Sequence, residues 1–557
     1  MKLRKATTLL FLTLTLALTA QDAPVPTLGE TIDVSIVNLD VVVTDKNGNR
    51  VRGLTRDDFE VYENGVLQPV SNFAEYAAEP EAGRVAVEGG APAAEIAPRE
   101  KRTVMVFFEK MRLPQFSVDP LMAQLKSTVR GMLGPGDQVS LVVWSRYGGI
   151  AQVELTSDLA VFDHALDTLG KAAKGAQIDL TSALVDEAIL VRDFDATMAQ
   201  IATNVGTPGL TANDLTGSAS LGLPMVISLG EMKVRTAAIN AAINSMSGIE
   251  GRKVLLLATR RLGEIAGAEF AYVTGSSFLT ADVRNRFGTQ HLIQSIIDNA
   301  NASRVTIYPI FPIGLGNHMP DAATAYQIPP GAAHLILQNE TVSLNQIARE
   351  TGGLMAASAK DAIDLLPRMA SDMTDYYSLA YRITPTRKDS ARDITVKSRR
   401  PGLTVRNRGQ YVEKSDDTRM RDRVIATLFQ GSSEESQIGI AASFGKRRKS
   451  RGTETLPLRI RVPIADLTTL PEGNDRHAGS FAVYVAASED INKLSEITHK
   501  TQPFQVKESQ LGAAQDGYFT YDLDVKVNQK AKYIAVGVLD EVGRTYGLLR
   551  LPVEEIQ

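Results

Sequence analysis

The chain has 557 residues, 44% hydrophobic and 22% charged, with 60 Lys and Arg against 64 Asp and Glu and a formal net charge of −4. That length argues for about three to five domains, and the apolar fraction excludes disorder as the dominant state. The absence of cysteine excludes disulfides, thiolate zinc sites, iron–sulfur clusters and cysteine nucleophiles, and the charge balance gives no support to a nucleic-acid partner.

The first element is an address. Lys2, Arg4 and Lys5 precede an uncharged, Leu-rich stretch over 6–20, after which Gln21, Asp22, Pro24 and Pro26 turn the chain polar. This is the layout of a secretory signal, with an apolar stretch short for a membrane span. The expectation is an exported protein, secreted or periplasmic, with residues 1–20 removed. An uncleaved anchor helix is the alternative, because Leu18 is not the small residue usual two positions before cleavage. No later stretch approaches 18 uninterrupted apolar residues, so no integral membrane segment is expected in the mature protein.

Residues 31–78 read as strands and turns, with Asn-Gly signals at Asn47-Gly48 and Asn64-Gly65. They are a thin core for an independent domain and are expected to pair with strands from elsewhere. Residues 79–100, rich in Ala, Glu, Gly and Pro, read as a linker. From 101 to 372 strands and helices alternate. Strands are predicted over 103–108, 138–144, 150–155 (a short edge strand), 253–258, 304–311 and 354–357. Helices are predicted over 121–132, 158–170, 282–302, 343–351 and 360–373, with Gly352-Gly353 as a stop. The stretches 203–231 and 262–280 read as irregular loops over one rim. Such alternation argues for a doubly wound parallel sheet.

Strands return over 373–412. Residues 413–452 read as a linker carrying the basic cluster Lys446-Arg447-Arg448-Lys449-Ser450-Arg451, a solvated loop or else a site for an acidic partner or anionic surface. The alternating patterns over 481–485, 521–527 and 534–538 make 453–557 a β-sandwich with one wet face per sheet.

Several motifs together resemble an exported von Willebrand factor type A (VWA)-related family of Acidobacteria. They are 41–48 leading into 53–65 (Gly-Leu-Thr-Arg-Asp-Asp-Phe-Glu-Val-Tyr-Glu-Asn-Gly), Leu133-Gly-Pro-Gly-Asp-Gln-Val139, Ile347-Ala-Arg-Glu-Thr-Gly-Gly353, and Tyr376-Tyr-Ser-Leu-Ala-Tyr381 with Arg400-Pro-Gly-Leu403. The tail adds Tyr518-Phe-Thr-Tyr521 and 536–543. The resemblance implies a multidomain α/β plus all-β protein. Its VWA-type sheet would be inserted in, or flanked by, Ig-like β-sandwiches, with 31–78 and 373–412 completing one of them.

The resemblance also implies a place for a divalent cation at the C-terminal edge of that sheet, the edge where open α/β sheets hold ligands. The family's Asp-x-Ser-x-Ser falls here on Glu109-Lys110-Met111-Arg112-Leu113, its threonine near Thr181 or Ser182, and its later aspartate on Thr259, followed by Arg260 and Arg261. Met111 and Leu113 offer no hard oxygen, so the expectation is a degenerate metal site that binds no metal and needs no cofactor. Lys110, Arg112, Arg260 and Arg261 would then form a basic rim, either a docking patch for an acidic protein partner or four solvated side chains. There is no nucleophile elbow, phosphate loop or His-Glu-x-x-His pair, and His164, His291, His318, His334, His477 and His499 are scattered singly. The reading is a non-enzymatic adhesion or scaffold protein of undetermined oligomeric state and partner. The alternatives are a secreted hydrolase with an unrecognised site and a structural subunit of an envelope assembly.

Overall fold

The computed structural model describes residues 35–76, 101–110, 115–145, 149–173, 219–260, 262–269, 281–311, 332–357, 359–383, 387–430, 436–450, 453–473, 475–514, 517–528 and 530–553. The segments expected to be a signal (1–20) and a linker (79–100) lie outside them. The fold is mixed α/β. The chain opens with β1 (Ser35–Thr44), β2 (Phe59–Glu63), β3 (Val66–Gln68) and β4 (Val70–Tyr76). It continues with β5 (Arg102–Glu109), α1 (Gln115–Met132), β6 (Gln138–Ser145), β7 (Gly149–Thr156), α2 (Leu159–Ala173) and α3 (Ala219–Ser247). Then come β8 (Arg252–Ala258), α4 (Ala281–Phe287), α5 (Gln290–Ala302), β9 (Val305–Ile310), α6 (Ala332–Glu350) and α7 (Ala359–Thr374). β10 (Tyr376–Ile383), β11 (Ala391–Ser398), β12 (Thr404–Arg406), β13 (Gln410–Val412) and α8 (Asp416–Gln430) lead to the last unit. That unit holds β14 (Ala441–Phe444), β15 (Arg448–Ser450), β16 (Thr453–Pro463), β17 (Leu470–Gly473), β18 (Arg476–Asp490) and β19 (Lys493–Leu494). β20 (Thr498–Lys507), β21 (Tyr518–Asn528), β22 (Tyr533–Asp540) and β23 (Tyr546–Pro552) complete it.

The early strands find their partners beyond the α/β unit. One sheet runs β12-β1-β10-β4 and a second β13-β11-β2-β3. Side chains alternate across a strand, so Val37, Leu39, Val41 and Val43 of β1 share a side with Tyr377, Leu379, Tyr381 and Ile383 of β10. They meet Phe59, Val61, Ile394 and Val396 of the second sheet in one core. Asn64 and Gly65, between β2 and β3, both have positive φ (48° and 81°), as a two-residue hairpin of this hand requires.

The α/β sheet runs β7-β6-β5-β8-β9, parallel except for the antiparallel edge strand β7. Both faces are covered, which is why 103–108 and 253–258 read as unbroken apolar runs. Val104, Val106 and Phe108 pack with α1, α2 and α7; Met105 and Phe107 pack with α3, α5 and α6. Several boundaries differ from expectation. α1 starts at Gln115 rather than 121 and carries Pro120 inside it; the buried Val118, Leu121 and Met122 offset the missing backbone donor. The stretch 203–231 is not loop throughout, since α3 begins at Ala219 and runs 29 residues. The helix expected over 282–302 is two helices parted at Gly288-Thr289, and α6 starts at Ala332 rather than 343. Of the strand expected at 354–357 there is only a bridge, Ala356 to Ile310.

The C-terminal unit has one sheet of β14, β16 and β15 with β21 also on β16, and another of β17-β18-β22-β23 with β19 and β20 also on β18. Leu456, Leu458, Ile460, Val483, Val485, Val525, Val536 and Val538 fill the space between them. The expected wet face on β18 and β22 is instead buried, and 413–452 is not a plain linker. Within it, α8 lays Met420, Val424 and Leu428 against Ala482, Tyr484, Ala486 and Ala535, in the same apolar cluster as α3 and the α/β sheet. β14 and β15 pair with β16. Gly537 permits the close approach of α8, for a Cβ there would stand 2.6 Å from Val424 Cγ2 and overlap Met420 Cε.

The α/β unit is fixed to the first β unit by a buried carboxylate. Asp372 on α7 is fully buried. It accepts two hydrogen bonds of 2.9 Å from the Arg406 guanidinium and one of 2.9 Å from Tyr308 Oη, and it forms an ion pair with Arg50. Burial, followed by the nearby charge of Arg406, brings the Arg50 pKa down to about 10. Removing one partner of such a cluster strands charge in a low dielectric. Asp372→Asn is therefore expected to lower the free energy of unfolding by about 3–5 kcal/mol, measured by urea denaturation. Gly537→Val is expected to cost about 1–3 kcal/mol by overpacking under α8, whereas a matched substitution at the exposed Gly230 should not.

Candidate functional site

The C-terminal edge of the parallel sheet brings together Glu109, the last residue of β5, with Thr259 and Arg260, which follow β8. Glu109 is 7% exposed and Thr259 fully buried. A cation does sit at the carboxylate, but it belongs to the chain: Arg235 of α3, itself 4% exposed. Arg235 Nη2 donates to Glu109 Oε1 at 2.8 Å and Nε lies 3.1 and 3.2 Å from the two oxygens. Thr259 Oγ1 donates to Oε2 at 2.8 Å and the Arg260 backbone N–H at 3.1 Å. The guanidinium carbon is 5.4 Å from the centre of the Trp144 ring, within cation–π range.

The electrostatics follow. Burial alone would raise the Glu109 pKa, but the charge of Arg235, with hydrogen bonds from Arg235, Thr259 and Arg260, holds it below the ordinary 4.5. Burial likewise works against the Arg235 charge, and Glu109 more than restores it, with help from Glu231 and Glu340. The loop past Arg260 is pinned to α6. Asn339 of α6 takes the Ile265 N–H on Oδ1 at 3.0 Å and donates to the Ile265 carbonyl at 3.1 Å. Ile265, Ala268, Met225 and Phe287 pack together.

These residues do not fit a divalent cation. Glu109 has both oxygens committed to internal donors, and the Arg235 guanidinium already brings positive charge to the carboxylate an ion would need. Among the described residues, no group of three or more His, Asp or Glu side chains is placed to hold a metal. The expected basic rim is changed in one respect. Lys110 is exposed, but Arg260 is only 6% exposed, a buried cation and not a surface charge. Arg112, Arg261, Thr181 and Ser182 lie outside the described residues. In the basic cluster 446–451, Arg447 is 3.2 Å from Glu454 and donates to the Val553 carbonyl at 3.0 Å, while Arg448 pairs with Asp524. Sequence reasoning missed Arg235 because it lies past the 203–231 stretch read as loop, where no element is predicted. A lone arginine between Met232 and Ile239 in an Ala-rich helix was the available signal.

Glu109→Gln is expected to cost about 3–5 kcal/mol, since it leaves the Arg235 charge buried and unbalanced. The sign with pH is fixed by the depressed value: the stabilisation is full above about 4.5, the unfolded pKa, and is lost as pH falls through the lower folded value. Acid titration of the wild type against Glu109→Gln should therefore show the two stabilities converging at low pH. Added Mg²⁺ should leave the melting temperature of the wild type unchanged, as linkage requires if the neutralised Glu109 carboxylate holds no cation.

No family model matches the chain, and no curated protein matches it in sequence. Among solved structures it is similar to the human COPII-coat protein Sec24c at 10% identity and a TM-score of 0.25, over 57% of this chain and 44% of that one. It is similar to manganese-loaded Plasmodium vivax TRAP protein at 10% identity and a TM-score of 0.19, over 55% and 93%. A β-glucosidase from Kluyveromyces marxianus follows at 8% and 0.12, over 56% and 32%. The chain thus spans less than half the length of the Sec24c structure, and likenesses this low carry no statement about function. No helix among the described residues is long and apolar enough to cross a membrane.

Proposed function

We propose that this chain is a non-enzymatic, exported protein-binding protein of the adhesion or scaffold kind, VWA-related, with a degenerate metal site. The Glu109–Arg235 pair carries the reading. At the edge where an open α/β sheet holds its ligand, the carboxylate that would hold a metal or act in catalysis is neutralised from within. Binding at this edge would then be metal-independent and governed by exposed charge such as Lys110. The apolar cluster that runs from the α/β sheet through α8 to β18 and β22 supports a frame of joined units rather than beads on a string. The test uses the chain from Gln21 onward as cross-linking bait in envelope extracts. One protein should be captured repeatedly, with capture insensitive to EDTA, reduced by salt and reduced by Lys110→Glu. Loss of capture in EDTA, or turnover of ester, glycoside or peptide substrates, would overturn the proposal.

A second reading, a structural subunit that associates with itself, is favoured by β20. This ten-residue strand is largely exposed and, among the described residues, pairs with β18 alone, leaving an edge of the kind other strands can extend. Light scattering across a range of protein concentrations separates the two: a constant monomer mass sinks the second reading.

A further inference from the structure

At the opposite, N-terminal edge of the α/β sheet lies a cavity of about 220 Å³, where three parts of the molecule meet. The turn between α3 and β8 supplies Glu250, the start of β8 supplies Lys253, the turn between α5 and β9 supplies Arg304, and the stretch from β13 into α8 supplies Lys414, Arg419, Asp422 and Arg423. That volume is room for several waters, enough for a small ion with part of its hydration.

The lining is unbalanced: five cationic side chains face two carboxylates, an excess of three positive charges. Both carboxylates are already engaged. Asp422 Oδ2 accepts from Lys414 Nζ at 2.5 Å, and Glu250 Oε1 from Arg423 Nη2 at 3.2 Å. Of the other three cations, Arg419 lies 3.5 Å from Asp416 on its own helix, with 45% of its side chain exposed. Arg304 stands over the Tyr411 ring at 5.7 Å. Lys253 is 4% exposed and donates to the carbonyls of Ile249 at 2.7 Å and Ser247 at 3.4 Å. Those two carbonyls explain Lys253, reaching back from β8, as a cap on the end of α3. They do not explain why further cations are gathered around it. Like charges placed together in a half-buried cleft raise the local concentration of anions.

We propose that this cavity binds a small tetrahedral dianion of the sulfate or phosphate type, held by Lys253, Arg304 and Arg419. A dianion brings acceptor oxygens to three cations that line one cavity, and charge-assisted bonds of this kind are the stronger class. The state of Lys253 adds a signature. Burial, then the charge of Arg304, lowers its pKa to about 7; Lys414 and Arg408 act in the same direction and Glu250 against it. A bound dianion favours the protonated amine, so binding takes up a proton above pH 7.

Calorimetric titration of the full chain with sodium sulfate tests this, because sulfate does not titrate near neutrality. Melting shifts are unsuitable, since sulfate stabilises proteins generally by exclusion. Saturable binding of one ion is expected at constant ionic strength, with affinity falling by up to tenfold per pH unit above about 7. Lys253→Met should abolish that pH dependence. Arg419→Gln, a change at a half-exposed position that should leave folding intact, should weaken binding about tenfold or more. Parallel titrations with inorganic phosphate and glycerol phosphate distinguish a free ion from an esterified ligand, and saturable binding of either supports the site. No saturable heat with any of the three anions, or equal affinity in wild type and both variants, would falsify the proposal.

Discussion

The placement of the α/β unit on the first β unit rests on the Asp372 carboxylate. Its oxygens gather a guanidinium from β12, another from the turn after β1, and a phenol from β9, so four segments that share no local sequence are held at one point. Arginines brought together without that carboxylate would repel in a medium that screens poorly. The same junction carries cation–π contacts, with the Arg252 guanidinium 4.0 Å above Tyr376 and Arg304 over Tyr411. The two edges of the sheet are thus treated differently. At the C-terminal edge the Glu109 carboxylate is held against Arg235, whereas the N-terminal edge gathers cations around the cavity beside Lys253.

A second constraint is α8. One side of it meets α3 and another meets β18 and β22, so its hydrophobic residues, Met420, Val424 and Leu428, are covered twice. This is why β18 is buried continuously from Phe481 to Ser488, although a two-layer β unit standing alone would leave every second residue wet. Gly248, whose added Cβ would lie 2.5 Å from Arg423 Cα, marks the same close approach from the α/β side.

What could be read from the sequence divides along physical lines. Strands covered on both faces announce themselves as apolar runs, so β5, β6, β8 and β9 were visible, as were the alternating β21 and β22. Turn chemistry was visible at Asn64-Gly65 and at Gly352, where φ is +81°. The helix α3 was not, because its 29 residues carry no single apolar stripe for periodicity to find; α8 does carry one in Met420, Val424 and Leu428, four apart, but within a stretch rich in charge. At the candidate site, Glu109 and Thr259 were legible from the motif they replace. Arg235 was not, for it comes from 126 positions away and nothing local specifies its partner. The burial of Arg260 is likewise a tertiary property with no local signature.

The separation of β1 and β4 from β10 in the chain has a kinetic meaning. Leu54 donates a hydrogen bond to Tyr377, 323 positions later, and Tyr76 stacks on Tyr376 at 4.7 Å. When synthesis proceeds from the N-terminus at about 5–20 residues per second, the first strands exist for roughly 15–60 seconds before their partners are made. Their edges and their Val and Leu side chains are then available to any passing chain, the condition under which wrong pairing and aggregation compete with folding. The first β unit is begun first and finished late, and its folding rate is tied to the closure of the long loop that carries the α/β unit. A cell that makes this protein has to shield residues 35–76 for that interval.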